Sequence, residues 1–143
     1  MMQEKLSDQD RRVILVRNWK EKAHDALRAA KLLREAGMLD AAVNRAYYAC
    51  FYSVSAVLTR EQRSFRKHSG VRAWLHKDMV KKNRLDSSWG KLFDWLFENR
   101  HRADYQSFTS FDPGVVSEMI DQAAAFVSEI AWSHKMLPGS RDI

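Results

Sequence analysis

The stretch DAAVNRAYYACFYSVSAVLT, residues 40–59, limits what this chain can fold into more than any other segment. It contains no Gly or Pro, and apolar or aromatic residues fall on almost every helical face. Asn44 and Arg45 are its main polar interruptions. A helix that is apolar all round is buried on more than one side. In a chain of 143 residues, one core surrounds such a helix with difficulty. The expected second cover is another subunit, so a homodimer is predicted. The same composition points to helices elsewhere. Five Gly and two Pro are too few for the many turns of a small all-β domain. An apolar share of 45% is enough for a core.

Four further segments carry the three-and-four spacing of a helix. The first covers about residues 11–36, with Trp19, Ala23, Ala26, Leu27, Ala30 and Leu33 as its stripe and Gly37 as the residue that closes it. Asp40 is expected to cap the apolar helix. A third helix is predicted from His68 or Ser69 to about residue 82, with Val71, Trp74, Leu75 and Met79 facing inward. The fourth opens at the Asp86-Ser87-Ser88 cluster and reaches about residue 103. Its stripe of Trp89, Leu92, Phe93 and Leu96 continues onto Arg100, which places a guanidinium near the buried face. The fifth starts at Asp112-Pro113, a cap followed by Pro at the first helical position, and runs to about residue 136. All five are assigned to one domain spanning residues 1–143, with a core over about 11–136 and loose termini.

Charge is segregated along the chain. Residues 60–84 hold nine basic and two acidic side chains, whereas residues 103–143 hold six acids and two bases. A basic middle segment suits a nucleic acid or an acidic partner, or is simply a solvated helix face. The single cysteine, Cys50, excludes an internal disulfide and a Cys-based zinc site. It falls inside the apolar helix, as a structural thiol would. The five histidines form no metal-binding pair at helical spacing. No cofactor is expected. No apolar run is long enough to span a bilayer, and the start MMQEKLSDQD does not read as a signal peptide. A reducing cytoplasm is the expected compartment.

Three clusters can carry chemistry. Asn44 and Arg45 on the apolar helix must find partners, either in an inter-helix network or as the lining of a cleft. In Lys67-His68-Ser69-Gly70, Ser69 is a plausible cap and His68 bonds the helix start or faces a site. Arg100-His101-Arg102-Ala103-Asp104-Tyr105 collects guanidinium, imidazole, carboxylate and phenol at a helix end. That set either binds phosphate and moves protons, or is a hydrogen-bonded helix terminus.

At these clusters the sequence resembles the HEPN domain family. The likeness covers about residues 19–134 and is carried by Asn44-Arg45-Ala46-Tyr47-Tyr48-Ala49, His68-Ser69-Gly70-Val71 and Arg100-x-x-Ala103-Asp104-Tyr105, in this order and spacing. The resemblance implies an all-α fold, an up-and-down antiparallel bundle of four long helices plus a short additional one. It also implies a homodimer with a composite cleft between subunits. A minimal nucleotidyltransferase is the implied partner, as in two-component or toxin–antitoxin pairs.

Many members act as metal-independent RNases through an Arg-x(4–6)-His motif, in which Arg stabilises phosphate and His shuttles a proton from a ribose 2′-hydroxyl. Here Arg100 matches the motif's arginine and His101 the polar residue that often follows. Tyr105 and Gln106 stand where the histidine would be. Tyrosine, with a pKa of about 10, is a poor base at neutral pH. A literal Arg63-x(4)-His68 match lies in the loop before the third helix. The resemblance thus nominates Arg100, His101 and Tyr105 as catalytic groups. Arg45, Asn44, Tyr48, His68, Arg102 and Asp104 are the implied RNA or nucleotide ligands. It leaves three roles in view: a dimeric RNA- or nucleotide-binding module, an RNase toxin, and a non-catalytic antitoxin-like or adaptor subunit.

Overall fold

The computed structural model describes residues 6–106 and 110–135, with side chains to Ala131 in the last helix. Among the described residues the fold is all-α. The helices are α1 (Asp8–Glu35), α2 (Leu39–Arg60), a short α3 (His68–Trp74), α4 (Ser87–Tyr105) and α5 (Pro113–Lys135). Four long helices and one short one therefore match the expected architecture.

α1 begins three residues earlier than its apolar stripe suggests. Ser7 accepts from the Asp10 amide at 3.0 Å, and the Asp10 carboxylate accepts from the Ser7 amide at 3.4 Å. This reciprocal capping box orders residues 7–10, which were expected to be loose. The residues before Leu6 and the segment after Lys135, also expected to be loose, lie outside the described residues.

α1 ends as its sequence suggests. Gly37 adopts φ +78°, the Gly37 amide donates to the Arg34 carbonyl at 3.0 Å and the Met38 amide to the Leu33 carbonyl at 2.8 Å. This paired closure turns the chain back within three residues. Leu39 is then already helical, so Asp40 falls inside the first turn of α2 and does not cap it; Met38 occupies the cap position without a side-chain bond. The Asp40 carboxylate still suits the positive end of the helix dipole. The far end of α2 closes in the same way with Gln62 at φ 58° and the Arg63 amide donating to the Leu58 carbonyl.

α2 runs through the middle of the bundle, packed against α1, α4 and α5. From Ala41 to Arg60 none of its residues is exposed. Ala42, Val43, Ala46, Tyr47, Ala49, Cys50 and Val54 have no accessible surface at all. The chain's own helices therefore cover most of the apolar segment, and Tyr48, Phe51 and Tyr52 stay half-buried. Cys50 belongs to this internal core, its Sγ 3.9 Å from the Ala123 carbonyl of α5. Burial pushes the thiol far above its usual pKa, which keeps it inert.

The third helix departs most from expectation. Lys67, not Ser69, holds the cap position, in an extended conformation with no side-chain bond. The α-helical part ends at Trp74, and Leu75–Val80 forms a π-helical turn with the Lys81 amide bonded to the His76 carbonyl at 2.9 Å. This turn packs on α4. A Cβ at Gly90 would stand 2.8 Å from the His76 ring, so α4 meets the turn through a glycine. His76 Nε2 and Arg72 Nε both reach Asp94 Oδ1 of α4, at 2.8 and 2.7 Å.

The expected caps of α4 and α5 form. Asp112 accepts from the Val115 amide at 3.0 Å, just before Pro113. Asp86 accepts from the Ser88 hydroxyl at 2.6 Å and from the Ser88 amide at 3.0 Å. These bonds hold the Asp86 carboxyl below its ordinary value of 3.8. A carboxyl whose folded pKa is depressed contributes stability above its unfolded pKa and loses it as pH falls through the folded one. The gap in urea midpoint between the native chain and Asp86→Ala should hold steady at neutral pH and shrink below about pH 3.8. A gap that widens in acid would contradict the cap.

Candidate functional site

Three helices bring their polar residues to one place. On α2, Asn44, Tyr47, Tyr48 and Phe51 recur at helical spacing, so they share a side of the helix. α3 contributes its first residue, His68, and one turn later Arg72. α4 contributes Phe97, Arg100 and Asp104, again three and four apart.

Tyr47 is the hub. Its ring is fully buried, in contact with Phe93 at 5.6 Å and Phe97 at 5.8 Å. The Arg100 guanidinium lies over that ring, 5.0 Å from its centroid, and 5.7 Å from that of Phe97. The Tyr47 hydroxyl sits 3.2 Å from His68 Nδ1. His68 in turn stacks on Phe51 at 4.3 Å and meets the edge of Tyr48 at 5.6 Å. Burial raises the Tyr47 phenol far above the ordinary tyrosine value, with the Arg100 charge opposing only in part. The phenol therefore stays protonated. His68 is shifted the other way, first by burial and then by the Arg100 charge, to below 6.5. Its imidazole is neutral at physiological pH.

Arg100 is 9% exposed, and its Nε has no hydrogen-bond partner. Its ion pair with Asp104 is long, 3.4 Å from Nη1 to Oδ2. The carboxylate is held more closely by the Asn44 amide, at 3.1 and 3.2 Å. Asn44 also accepts from Arg45 Nε and Nη2 at 3.0 and 2.9 Å, and the Arg45 guanidinium covers the Tyr48 ring at 4.9 Å. The partners demanded by two polar residues on an apolar helix are thus an inter-helix network that borders the Arg100 site. Arg72 adds a second cation, 4.6 Å from the Phe97 ring centroid and anchored to Asp94.

His101 and Tyr105 are placed elsewhere. They lie one residue further round α4, both exposed, with rings 4.8 Å apart. Tyr105 is 70% exposed. Arg102 is on another side of α4, bonded to Asn99 Oδ1 at 3.0 Å and resting 5.3 Å from the Phe111 ring centroid. The structure therefore joins Asn44, Arg45, Tyr48, His68, Arg100 and Asp104 into one constellation and sets His101, Tyr105 and Arg102 on other faces of α4. Sequence reasoning missed Tyr47, Phe51 and Phe97 as the bed of the site. The four-residue spacing of Tyr47 and Phe51 was the available signal. Among the described residues no group of three or more His, Cys, Asp or Glu side chains is placed to hold a metal. No helix among them is long and apolar enough to cross a membrane.

An all-helical bundle with an arginine on an aromatic bed, beside a histidine from a neighbouring helix, defines a class that comparison makes specific. The chain belongs to the HEPN domain family, whose family model matches residues 16–132. A "UPF0332 protein" from Thermotoga maritima is 38% identical over 116 residues, 81% of this chain and 88% of its own length. Two Methanocaldococcus jannaschii proteins, each carrying the name "putative toxin", also match. One is 32% identical over 77% of this chain and 81% of its own length. The other is 36% identical over 61% of this chain and 59% of its own length.

Proposed function

We propose that this HEPN chain is a cytoplasmic homodimer that binds RNA or a nucleotide at the Arg100 site and works with a minimal nucleotidyltransferase. The observation that carries the reading is the state of Arg100. Beyond its packing on the Tyr47 and Phe97 rings, this buried guanidinium has an unsatisfied Nε and a long carboxylate contact, and a desolvated charge is costly unless well paired. The same state is what a phosphate site needs: a fork of donors, fixed in direction, with capacity to spare. The residues beside it suit a nucleic acid. His68 and Tyr48 offer ring faces to a base, and the exposed Arg66 and Lys67 stand immediately before His68.

A second reading, an RNase toxin, is favoured by the names of the two Methanocaldococcus relatives. The adaptor reading gives Arg100 only its packing on Tyr47 and Phe97 and its ion pair with Asp104.

The test is a binding titration of a short fluorescent single-stranded RNA against the purified chain, with light scattering on the same sample. Saturable binding is expected, weakening with salt at a log–log slope of about −0.7 per phosphate contacted. Light scattering is expected to give twice the chain mass. Co-expression with the nucleotidyltransferase of the adjacent reading frame should yield a complex on a column. A monomer with no RNA affinity and no complex would defeat the reading.

A further inference from the structure

We propose that Trp19, Tyr52 and Lys22 extend the Arg100 site into a stacking track for the bases of a single RNA strand. The inference rests on the reading of Arg100 as a phosphate site. It deepens that reading by choosing an oligonucleotide over a mononucleotide and a single strand over a duplex.

The track begins at Tyr47, whose ring lies under the Arg100 guanidinium. From there the ring centroids follow one another along α2 and onto α1. Tyr47 and Tyr48 are 5.2 Å apart, Tyr48 and Tyr52 5.6 Å, and Tyr52 and Trp19 5.7 Å. The order follows from helical spacing: Tyr48 and Tyr52 are four residues apart on one side of α2, and α1 packs along α2 and lays Trp19 on Tyr52. Tyr47 is fully buried, whereas Tyr48, Tyr52 and Trp19 each keep part of their surface in water. A row of part-open rings leading away from a phosphate ligand is what successive bases of one strand can stack on.

Charge decides the occupant. Lys22 is exposed and holds its ammonium 5.1 Å from the Trp19 centroid and 5.6 Å from that of Tyr52. Arg45 lies over Tyr48 at 4.9 Å. Arg63 borders the same cleft as Trp19 and Phe51. From Arg45 to Lys67 the only acid is Glu61, and both terminal nitrogens of Arg84 already hold it, at 3.2 and 2.6 Å. Two copies of so cationic an edge repel when laid face to face. A nucleic acid supplies both complements, bases for the rings and phosphates for the cations.

The spacing of the rings decides the form of the strand. Neighbouring bases in a duplex stand about 3.4 Å apart along each strand. Steps of 5.2 to 5.7 Å suit bases drawn apart from one another, each resting on protein, which is how single strands are read. A duplex has its base faces stacked on each other and offers none to the track. On binding, Lys22 turns from the rings to a phosphate, while Arg100 holds the phosphate at the other end.

The experiment titrates the full chain against a fluorescent dinucleotide, a fluorescent octanucleotide and the same octanucleotide annealed to its complement, by anisotropy at constant salt. The native chain should bind the single-stranded octanucleotide about tenfold or more tighter than either of the others. Trp19→Ala and Tyr52→Ala should each weaken octanucleotide binding by about tenfold, the loss of one stacked base, and leave the dinucleotide within about twofold of native. Tyr52→Phe, which keeps the ring, should bind as the native chain does. Lys22→Gln should lower the octanucleotide salt slope by about 0.7. It changes an exposed side chain, so it reads the track even where Tyr52→Ala weakens the fold.

The track is overturned if dinucleotide and octanucleotide bind alike, if the duplex binds as tightly as the single strand, or if Trp19→Ala and Lys22→Gln leave octanucleotide binding unchanged. Variants that keep RNA affinity but halve the mass in light scattering would assign the edge to a second copy and overturn it too. Each of these outcomes spares the Arg100 reading. Dinucleotide affinity that survives Arg100→Ala would instead remove the reading on which the track rests.

Discussion

Arg100→Ala is expected to weaken RNA binding by about 100-fold at low salt while the chain stays folded, the loss seen when a desolvated charge contact is truncated. Two features separate the effects. Removal of the side chain deletes the one guanidinium that lies against both Tyr47 and Phe97. It leaves few hydrogen-bonding groups unpaired, because Nε had no partner and the Asp104 carboxylate keeps its bonds to Asn44; the lost packing on Tyr47 and Phe97 lowers stability without unfolding the bundle. Arg100→Lys should recover only part of the affinity, since it restores the charge but not the planar fork. Fluorescence anisotropy with a labelled RNA, beside circular dichroism for helix content, reads both quantities. Unchanged affinity with native helix content would mean that phosphate binds elsewhere.

The opposite pattern is expected of Phe93→Ala. Phe93 has no accessible surface. It stands between Tyr47 of α2, 5.6 Å away, and Phe126 of α5, 5.9 Å away, so one ring joins the three helices. Emptying such a site costs about 3–5 kcal/mol through lost transfer free energy and the cavity left behind. Against a total stability of about 5–15 kcal/mol, that is a large fraction. Urea denaturation should show the midpoint falling at unchanged slope, the mark of a stability change without a change in the surface exposed on unfolding. A loss below about 1 kcal/mol would show that the core relaxes into the space, contrary to the close packing of these rings. Arg100→Ala thus removes binding and spares the fold, and Phe93→Ala weakens the fold on which binding depends.

Much of this architecture was legible because helices announce themselves through short-range spacing. Gly37, Asp86 and Asp112-Pro113 mark ends in single residues, and the structure places closures or caps at each. The stripe of α4 correctly put Arg100 on the buried side. What was not legible depended on partners distant in sequence. Gln62 closes α2 in a conformation that glutamine does not signal. The π-helical turn packs on α4 at Gly90, against His76 and Val80, and nothing within residues 75–80 reveals that.

The burial of α2 was read correctly, and α1, α4 and α5 supply much of its cover, while Tyr48, Phe51 and Tyr52 keep a part-exposed edge. Two histidines were nominated from the sequence, His101 beside Arg100 in the chain and His68 far from it. In the structure His68 approaches from the start of another helix, 32 residues upstream of Arg100, through the phenol of Tyr47. Proximity along a helix put His101 beside Arg100 in the chain and on another face in space.

The three-residue turn between α1 and α2 has a consequence for how the molecule comes together. These two helices meet through contacts close in sequence, the kind that form early because little loop entropy must be spent first. The hairpin carries Asn44, Tyr47 and Tyr48, yet alone it holds neither the imidazole nor the guanidinium. Those groups arrive only when α3 and α4 dock on α2. A nascent chain still lacking α4 therefore presents a hydrophobic hairpin without an anion site. The constellation around Arg100 is therefore incomplete until synthesis has passed that helix.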